Sequence, residues 1–155
     1  MRQGFGGIVL STAFRLLVPF SIVYGVYILC FGEYSPGGGF QAGALLAVGV
    51  LLSRMILGED AKFNISGKNS VVLAGVGTFI YTFVGWVTLF GGKFLEYDFM
   101  PIVMEPKHEM HAMAIFIIEI GVTMCVMMTI INIMDAIIER LDDDDEEEGV
   151  DICER

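Results

Sequence analysis

The stretch MHAMAIFIIEIGVTMCVMMTIINIMDAII, residues 110–138, is the longest mainly apolar run of the chain and decides its fold. A helix needs about 20 mainly apolar residues to cross a hydrocarbon core about 30 Å thick. Residues 8–31, 39–57 and 70–90 also meet this requirement. Lipid cannot hydrogen-bond the backbone, and the alternating pattern of barrel strands is missing from these runs. The sequence therefore predicts an all-α integral membrane protein with four transmembrane helices.

Composition agrees with a membrane domain followed by an acidic tail. The chain is 55% hydrophobic with a mean hydropathy of +0.69, above the roughly 45–50% apolar content of a soluble domain. Ten of its nineteen acidic residues lie in positions 139–155, and residues 142–148 are all acidic. We predict a four-helix domain over residues 1–138 and a disordered cytoplasmic tail over 139–155. A basic surface for nucleic acid is not evident.

The basic residues predict the orientation of the spans. The first run contains Arg15 and Pro19 and is followed by Glu33, so we expect an uncleaved span and not a secretory signal. Lys and Arg collect on the cytoplasmic side of membrane proteins. In a four-span chain one side has seven of them (Arg2, Arg15, Arg54, Lys62, Lys68, Arg140, Arg155) and the other has Lys93 and Lys107. Both termini are therefore predicted to be cytoplasmic.

A glycine-rich turn opens the second span. Ser can cap a helix start, and Pro is tolerated in the first turn. The glycines permit a tight reversal and close helix contact, and Gly39, Gly43 and Ala47 form a stripe of small residues. We interpret the stripe as a packing surface; contact of the free amides with an ion or a lipid is the alternative. The turn and packing residues are Ser35, Pro36, Gly37, Gly38, Gly39, Phe40 and Gly43.

A carboxylate stands within the fourth span. Glu119 is surrounded in sequence by apolar residues, and a charge deep in a bilayer costs roughly 2.5–3.5 kcal/mol on insertion scales, so we expect it to face protein or water and to be protonated or paired. Helical spacing puts His111 and Thr123 on the same face, with His108 one turn further out. We predict that Glu119, His111, Thr123 and His108 contribute to an ion path. The alternatives are interhelical pairing for Glu119 and ordinary interfacial positions for the histidines.

The sequence offers no sign of an enzyme, a cofactor or a metal site. Cys30, Cys125 and Cys153 are far apart and lack the paired spacing of zinc or iron–sulfur ligands. A nucleophile with its base and a nucleotide-binding fingerprint are equally lacking. We therefore expect a protein without catalytic residues, cofactor or bound metal.

Three segments resemble the MnhB/MrpB family of small membrane subunits of multisubunit sodium/proton antiporters. They are RLLVPF at 15–20, FGEYSPGGGFQAG at 31–43 and IEIGVT at 118–123. The resemblance implies a non-catalytic, multi-pass subunit in a prokaryotic plasma membrane, next to other small subunits and large antiporter-like subunits, with Na⁺ or H⁺ as the transported ion. Related modules occur in membrane-bound hydrogenases and sulfane-sulfur reductases, so the host complex stays open.

Two other functions compete with an ion-path subunit. A purely structural scaffold would use the glycine stripe for assembly while ions move elsewhere. A self-sufficient small exporter would also have four helices and an essential carboxylate. In such exporters that carboxylate lies in the first helix, and the first span here has no acidic residue.

Overall fold

The computed structural model describes residues 7–32, 37–57, 67–90 and 107–153, of which residues 7, 8, 11, 56–57, 107–110 and 142–153 are described by their backbone alone. These residues form four helices: α1 (Gly7–Cys30), α2 (Gly39–Leu57), α3 (Lys68–Leu89) and α4 (Lys107–Cys153). The described ranges contain no strand. The predicted all-α fold is confirmed, and the four helices agree with the predicted spans to within about one turn, except at the end of α4.

Length and composition make these helices a membrane domain. Within the described ranges, three segments are long and apolar enough to cross a membrane: Thr12–Cys30, Lys68–Leu89 and His111–Leu141. The remaining apolar segment, Gly39–Met55, is shorter, but α2 packs alongside α4 from Gly39 to Arg54. The chain is thus an integral membrane protein of four helices.

The helices pack in a row with the order α1, α2, α4, α3. Neighbours in this row make extensive contacts, whereas α1 touches α4 only marginally. Helices α2 and α4 run parallel, since Gly39 at the start of α2 packs against Glu119, and Arg54, later in α2, pairs with Asp135, later in α4. Helix α3 is antiparallel to α4, because Ser70 bonds to Asn132 near one end and Gly77, further along α3, lies at Gly121, earlier in α4. Helix α1 is antiparallel to α2, since Gly25 lies against Ala42 and Gly49 lies against Ile22. The start of α1 and the end of α4 therefore lie on the same side of the membrane domain, and the assignment of this side to the cytoplasm stays a prediction.

Glycines set the close approach of α4 to both of its neighbours. A Cβ atom at Gly43 would stand 2.8 Å from the carbonyl oxygen of Thr123, and one at Gly121 would stand 2.8 Å from that of Gly77. Such contacts are too short for any larger residue, so the backbones meet directly. Beyond Gly43 the α2–α4 seam continues into a buried apolar cluster made by Ala47, Val50, Met128 and Ile131.

Helix α4 continues beyond the apolar run. Its backbone is helical through the acidic residues to Cys153, where the sequence predicts a disordered tail. The stretch 122–148 has neither Gly nor Pro, and extending an existing helix is much easier than starting one. The division of the chain after residue 138 stays a prediction.

Candidate functional site

The Glu119 carboxylate lies against the connection between α1 and α2. A Cβ atom at Gly32 would be 2.9 Å from both Oε1 and Oε2, and one at Gly38 would be 3.5 Å from Oε1. The sequence places Glu119 deep in the fourth span, but the structure brings it level with the end of α1 and the start of α2. The reason is that α4 begins about three turns before Glu119 and extends beyond α2.

The start of α2 is built around this carboxylate. The carbonyl oxygen of Gly38 accepts the first helical hydrogen bond, from the Ala42 amide at 3.0 Å, and the helix begins at Gly39. A Cβ atom at Gly39 would collide with the backbone of Glu119, whose Cα would be 3.0 Å away. The amide end of a helix carries a partial positive charge, which attracts a negatively charged group. The two features that the sequence analysis treats separately, the glycine turn and the carboxylate, thus form one site.

Thr123 joins α4 to the first turn of α2. Its hydroxyl is buried and lies 3.0 Å from the Gly39 carbonyl oxygen and 2.7 Å from the Glu119 carbonyl oxygen. One hydroxyl hydrogen is shared between these two acceptors. Its donor capacity is therefore used for backbone contacts that fix α2 next to Glu119.

The two histidines are further from the carboxylate. His111 is half-buried and lies eight residues before Glu119, a rise of about 12 Å along α4, which is too far for a direct hydrogen bond. The side chain of His108 falls outside the described residues. Other groups would be needed to join His111 to Glu119, so the roles of both histidines stay predictions.

The other residues of the predicted turn are placed only in part. Ser35 and Pro36 fall outside the described residues, and their capping role stays a prediction. Gly37 is partly exposed, and Phe40 is 66% exposed. Within the described chain Phe40 thus points away from the seam that Gly39 and Gly43 form with α4.

An ion pair that the sequence did not predict lies at the opposite end of the α2–α4 seam. Arg54 Nη1 donates to Asp135 Oδ1 at 2.8 Å, with side chains only 15% and 23% exposed. Nearby, the buried Ser70 hydroxyl contacts the Asn132 amide oxygen. In the sequence, Arg54 contributes only to the predicted orientation. The signal that could have revealed the pair is the position of Arg54 and of Asp135 within apolar runs. Among the described residues, no three His, Cys, Asp or Glu side chains meet as metal ligands.

Gly32→Ala should test the contact between the connection and the carboxylate. The added methyl group would meet both carboxylate oxygens, which lie at the flexible end of a side chain and can move aside. We therefore expect the variant to fold and assemble while the Glu119 carboxylate moves and ion movement falls. The measurement is transport in membrane vesicles that contain matched amounts of assembled protein. Unchanged transport would show that the position of the carboxylate does not matter.

The row of four apolar helices, with a carboxylate held at a glycine connection, defines a multi-pass integral membrane protein. Residues 9–132 match the family described as "Domain related to MnhB subunit of Na+/H+ antiporter". Because the match covers most of the chain, the chain belongs to this family. The family resemblance recognised in the three sequence segments is confirmed.

Two bacterial relatives match over most of their length. The chain is 25% identical to a Na(+)/H(+) antiporter subunit of Bacillus subtilis over 139 residues, which cover 83% of this chain and 96% of the relative. It is 23% identical to the putative antiporter subunit mnhB2 of Staphylococcus aureus over 128 residues, or 82% of this chain and 91% of the relative. Together with the spanning helices, they support the predicted location in a prokaryotic plasma membrane.

Proposed function

We propose that this chain is a non-catalytic subunit of a multisubunit sodium/proton antiporter module and that its Glu119 site forms part of an ion path at a boundary with neighbouring subunits. The observation that carries the proposal is the contact of the Glu119 carboxylate with Gly32 and with the start of α2. The relatives named as antiporter subunits support the assignment to such a module.

The placement of Glu119 favours a role in ion movement. Acidic residues in membrane-spanning helices are unfavourable and usually mark ion or substrate pathways. Here the neighbouring connection leaves room for the carboxylate through Gly32, where any side chain would contact it. Glu119 is only half-buried within this chain. A neighbouring subunit or a water-filled path can therefore reach it.

An ion path through this site requires groups beyond the His111, Glu119 and Thr123 side chains. About 12 Å of helix separates His111 from Glu119, and Thr123 is committed to backbone carbonyls. Waters, side chains of other subunits or residues of this chain outside the described ranges would have to bridge these gaps. This requirement agrees with a small subunit that works only within an assembly, next to other small subunits and large antiporter-like subunits.

Glu119→Gln tests the proposal. Glutamine keeps the size and polarity of the side chain but can neither carry a negative charge nor exchange a proton at this position. We expect normal assembly and loss of coupled Na⁺/H⁺ movement to the level of vesicles without the complex. Glu139→Gln is the matched control, because Glu139 is an exposed carboxylate on the same helix. Full transport by the assembled Glu119→Gln complex would rule out the ion-path role.

A structural scaffold is the second candidate, favoured by the direct backbone contact at Gly39 and by the Thr123 hydrogen bonds. In that case Glu119→Gln would lower the amount of assembled complex without changing transport per complex. The host complex is a separate question. Mass spectrometry of the proteins that copurify from native membranes would reveal antiporter subunits alone, or hydrogenase or sulfur-reductase subunits in addition.

A further inference from the structure

Asp135 is a second acidic residue in the apolar run of α4. It lies six residues before the end of the spanning segment His111–Leu141, a depth of about 9 Å. Sixteen residues, or a rise of about 24 Å, separate it from Glu119 along the same helix. Because the hydrocarbon core is about 30 Å thick, the two carboxylates stand near opposite sides of the membrane domain, both where α4 meets α2.

The described residues account for one oxygen of the Asp135 carboxylate and not for the other. Oδ1 accepts a hydrogen bond from Arg54 Nη1 at 2.8 Å, whereas Oδ2 is buried and has no hydrogen-bond partner within the described ranges. A buried acceptor without a partner is unfavourable, and in a native protein it calls for a bound group or a functional role. Asn132, one turn earlier on α4, and Ser70 of α3 add polar atoms at the same level.

Cohesion of the helices does not explain the ion pair. Val50 and Ile131 lie about one turn before the two charged residues and belong to the buried apolar cluster between α2 and α4. Apolar side chains at positions 54 and 135 would extend this cluster, and such replacements of buried ion pairs are often neutral or stabilising. Ionisable residues within spanning segments usually mark ion or substrate pathways. The pair is therefore better explained by function than by stability.

A proton suits Asp135 Oδ2 better than a metal cation does. Metal cations bind several oxygen ligands at once, and a cation of that kind next to the buried Oδ2 would have to displace neighbouring atoms. The Arg54 guanidinium on the other oxygen also repels a cation. Further charged side chains on the surrounding helices, Arg15 on α1, Lys68 on α3 and Glu139 on α4, are exposed. Arg54 is thus the charge that faces the carboxylate.

We propose that Asp135 is a second proton-exchanging group of the ion path, on the opposite side of the membrane domain from Glu119. One proton from the aqueous phase on that side bonds to Oδ2, and the carboxylate becomes a neutral acid. Release of the same proton restores the ion pair, in which Arg54 acts as a positioning residue. This inference rests on the proposed function and adds a second site and the ion that it takes.

Transport by the double variant Arg54→Leu with Asp135→Leu tests the proposal. The apolar pair should preserve packing and assembly, while proton-coupled transport falls to the level of vesicles without the complex. Asp135→Glu keeps a carboxylate next to Arg54 and should keep part of the transport, and the exposed Glu139→Gln should keep all of it. Full transport by the assembled leucine variant would overturn the proposal, and so would Asp135→Glu transport no higher than that of the leucine variant.

Infrared difference spectroscopy of the intact complex gives a readout that a purely structural role would not change. A step from alkaline to acidic buffer should produce a carboxylic C=O stretching band that the leucine double variant lacks, that Asp135→Glu shifts, and that Glu139→Gln leaves unchanged. A band that none of the Asp135 variants alters would overturn the proposal, even if transport were lost. Since the band does not depend on transport, it should persist in Glu119→Gln, and a failure of the Glu119 role is distinguishable from a failure at Asp135.

Discussion

Replacing Asp135 with alanine should lower the stability of the folded chain by about 3–5 kcal/mol, because it removes the carboxylate partner from a largely buried ion pair. The guanidinium of Arg54 is largely buried, with its side chain only 15% exposed. The measurement is the thermal stability of the purified chain in mild detergent, followed by size-exclusion chromatography.

Two controls separate the ion pair from other effects of the substitution. Glu139→Ala removes an exposed carboxylate from the same helix and should change the stability little. The double variant Arg54→Leu with Asp135→Leu replaces both charges with apolar groups and should recover most of the lost stability. A double variant as unstable as Asp135→Ala would show that the charges are not the cause.

Gly39→Ala should displace α2 from α4 and lower the stability by about 1–3 kcal/mol. The new methyl group would meet the backbone of Glu119, with Cα at 3.0 Å and the carbonyl carbon at 3.1 Å. A backbone in a packed helix cannot move aside as a side chain can, so one of the two helices must shift. The shift would also lengthen the hydrogen bond from Thr123 to the Gly39 carbonyl oxygen.

Gly75→Ala is the matched control for this prediction. Gly75 lies in α3, and a Cβ atom there would have no heavy atom within 4 Å among the atoms that the structure describes. Alanine in a helix is favoured over glycine by about 1 kcal/mol, so this variant should be at least as stable as the wild type. The thermal stability of both variants and their yield of assembled complex are the measurements. Equal stability of Gly39→Ala and Gly75→Ala would contradict the close backbone contact.

Local sequence was sufficient to predict the positions of the helices and some residues of the Glu119 site. Apolar length alone placed α1 to α3 to within about one turn, because a spanning segment is defined by the thickness of the bilayer. The small residues Gly39, Gly43 and Ala47 identified a packing face. Glu119 was identified as a candidate site residue because it is an acidic residue within an apolar run. The backbone of α4 beyond residue 138 was not predicted, since charge repulsion suggested disorder while the structure continues the helix.

The sequence by itself determined that this chain is a four-helix membrane protein, since the length and hydropathy of each span are local properties. Tertiary structure alone decided that the helices form a row, that Glu119 meets Gly32 and the start of α2, and that Arg54 pairs with Asp135. These contacts join residues that lie far apart in the chain, and they depend on how far one helix slides along another. That register is set by backbone contacts at glycines across two different helices, which no single segment of sequence contains.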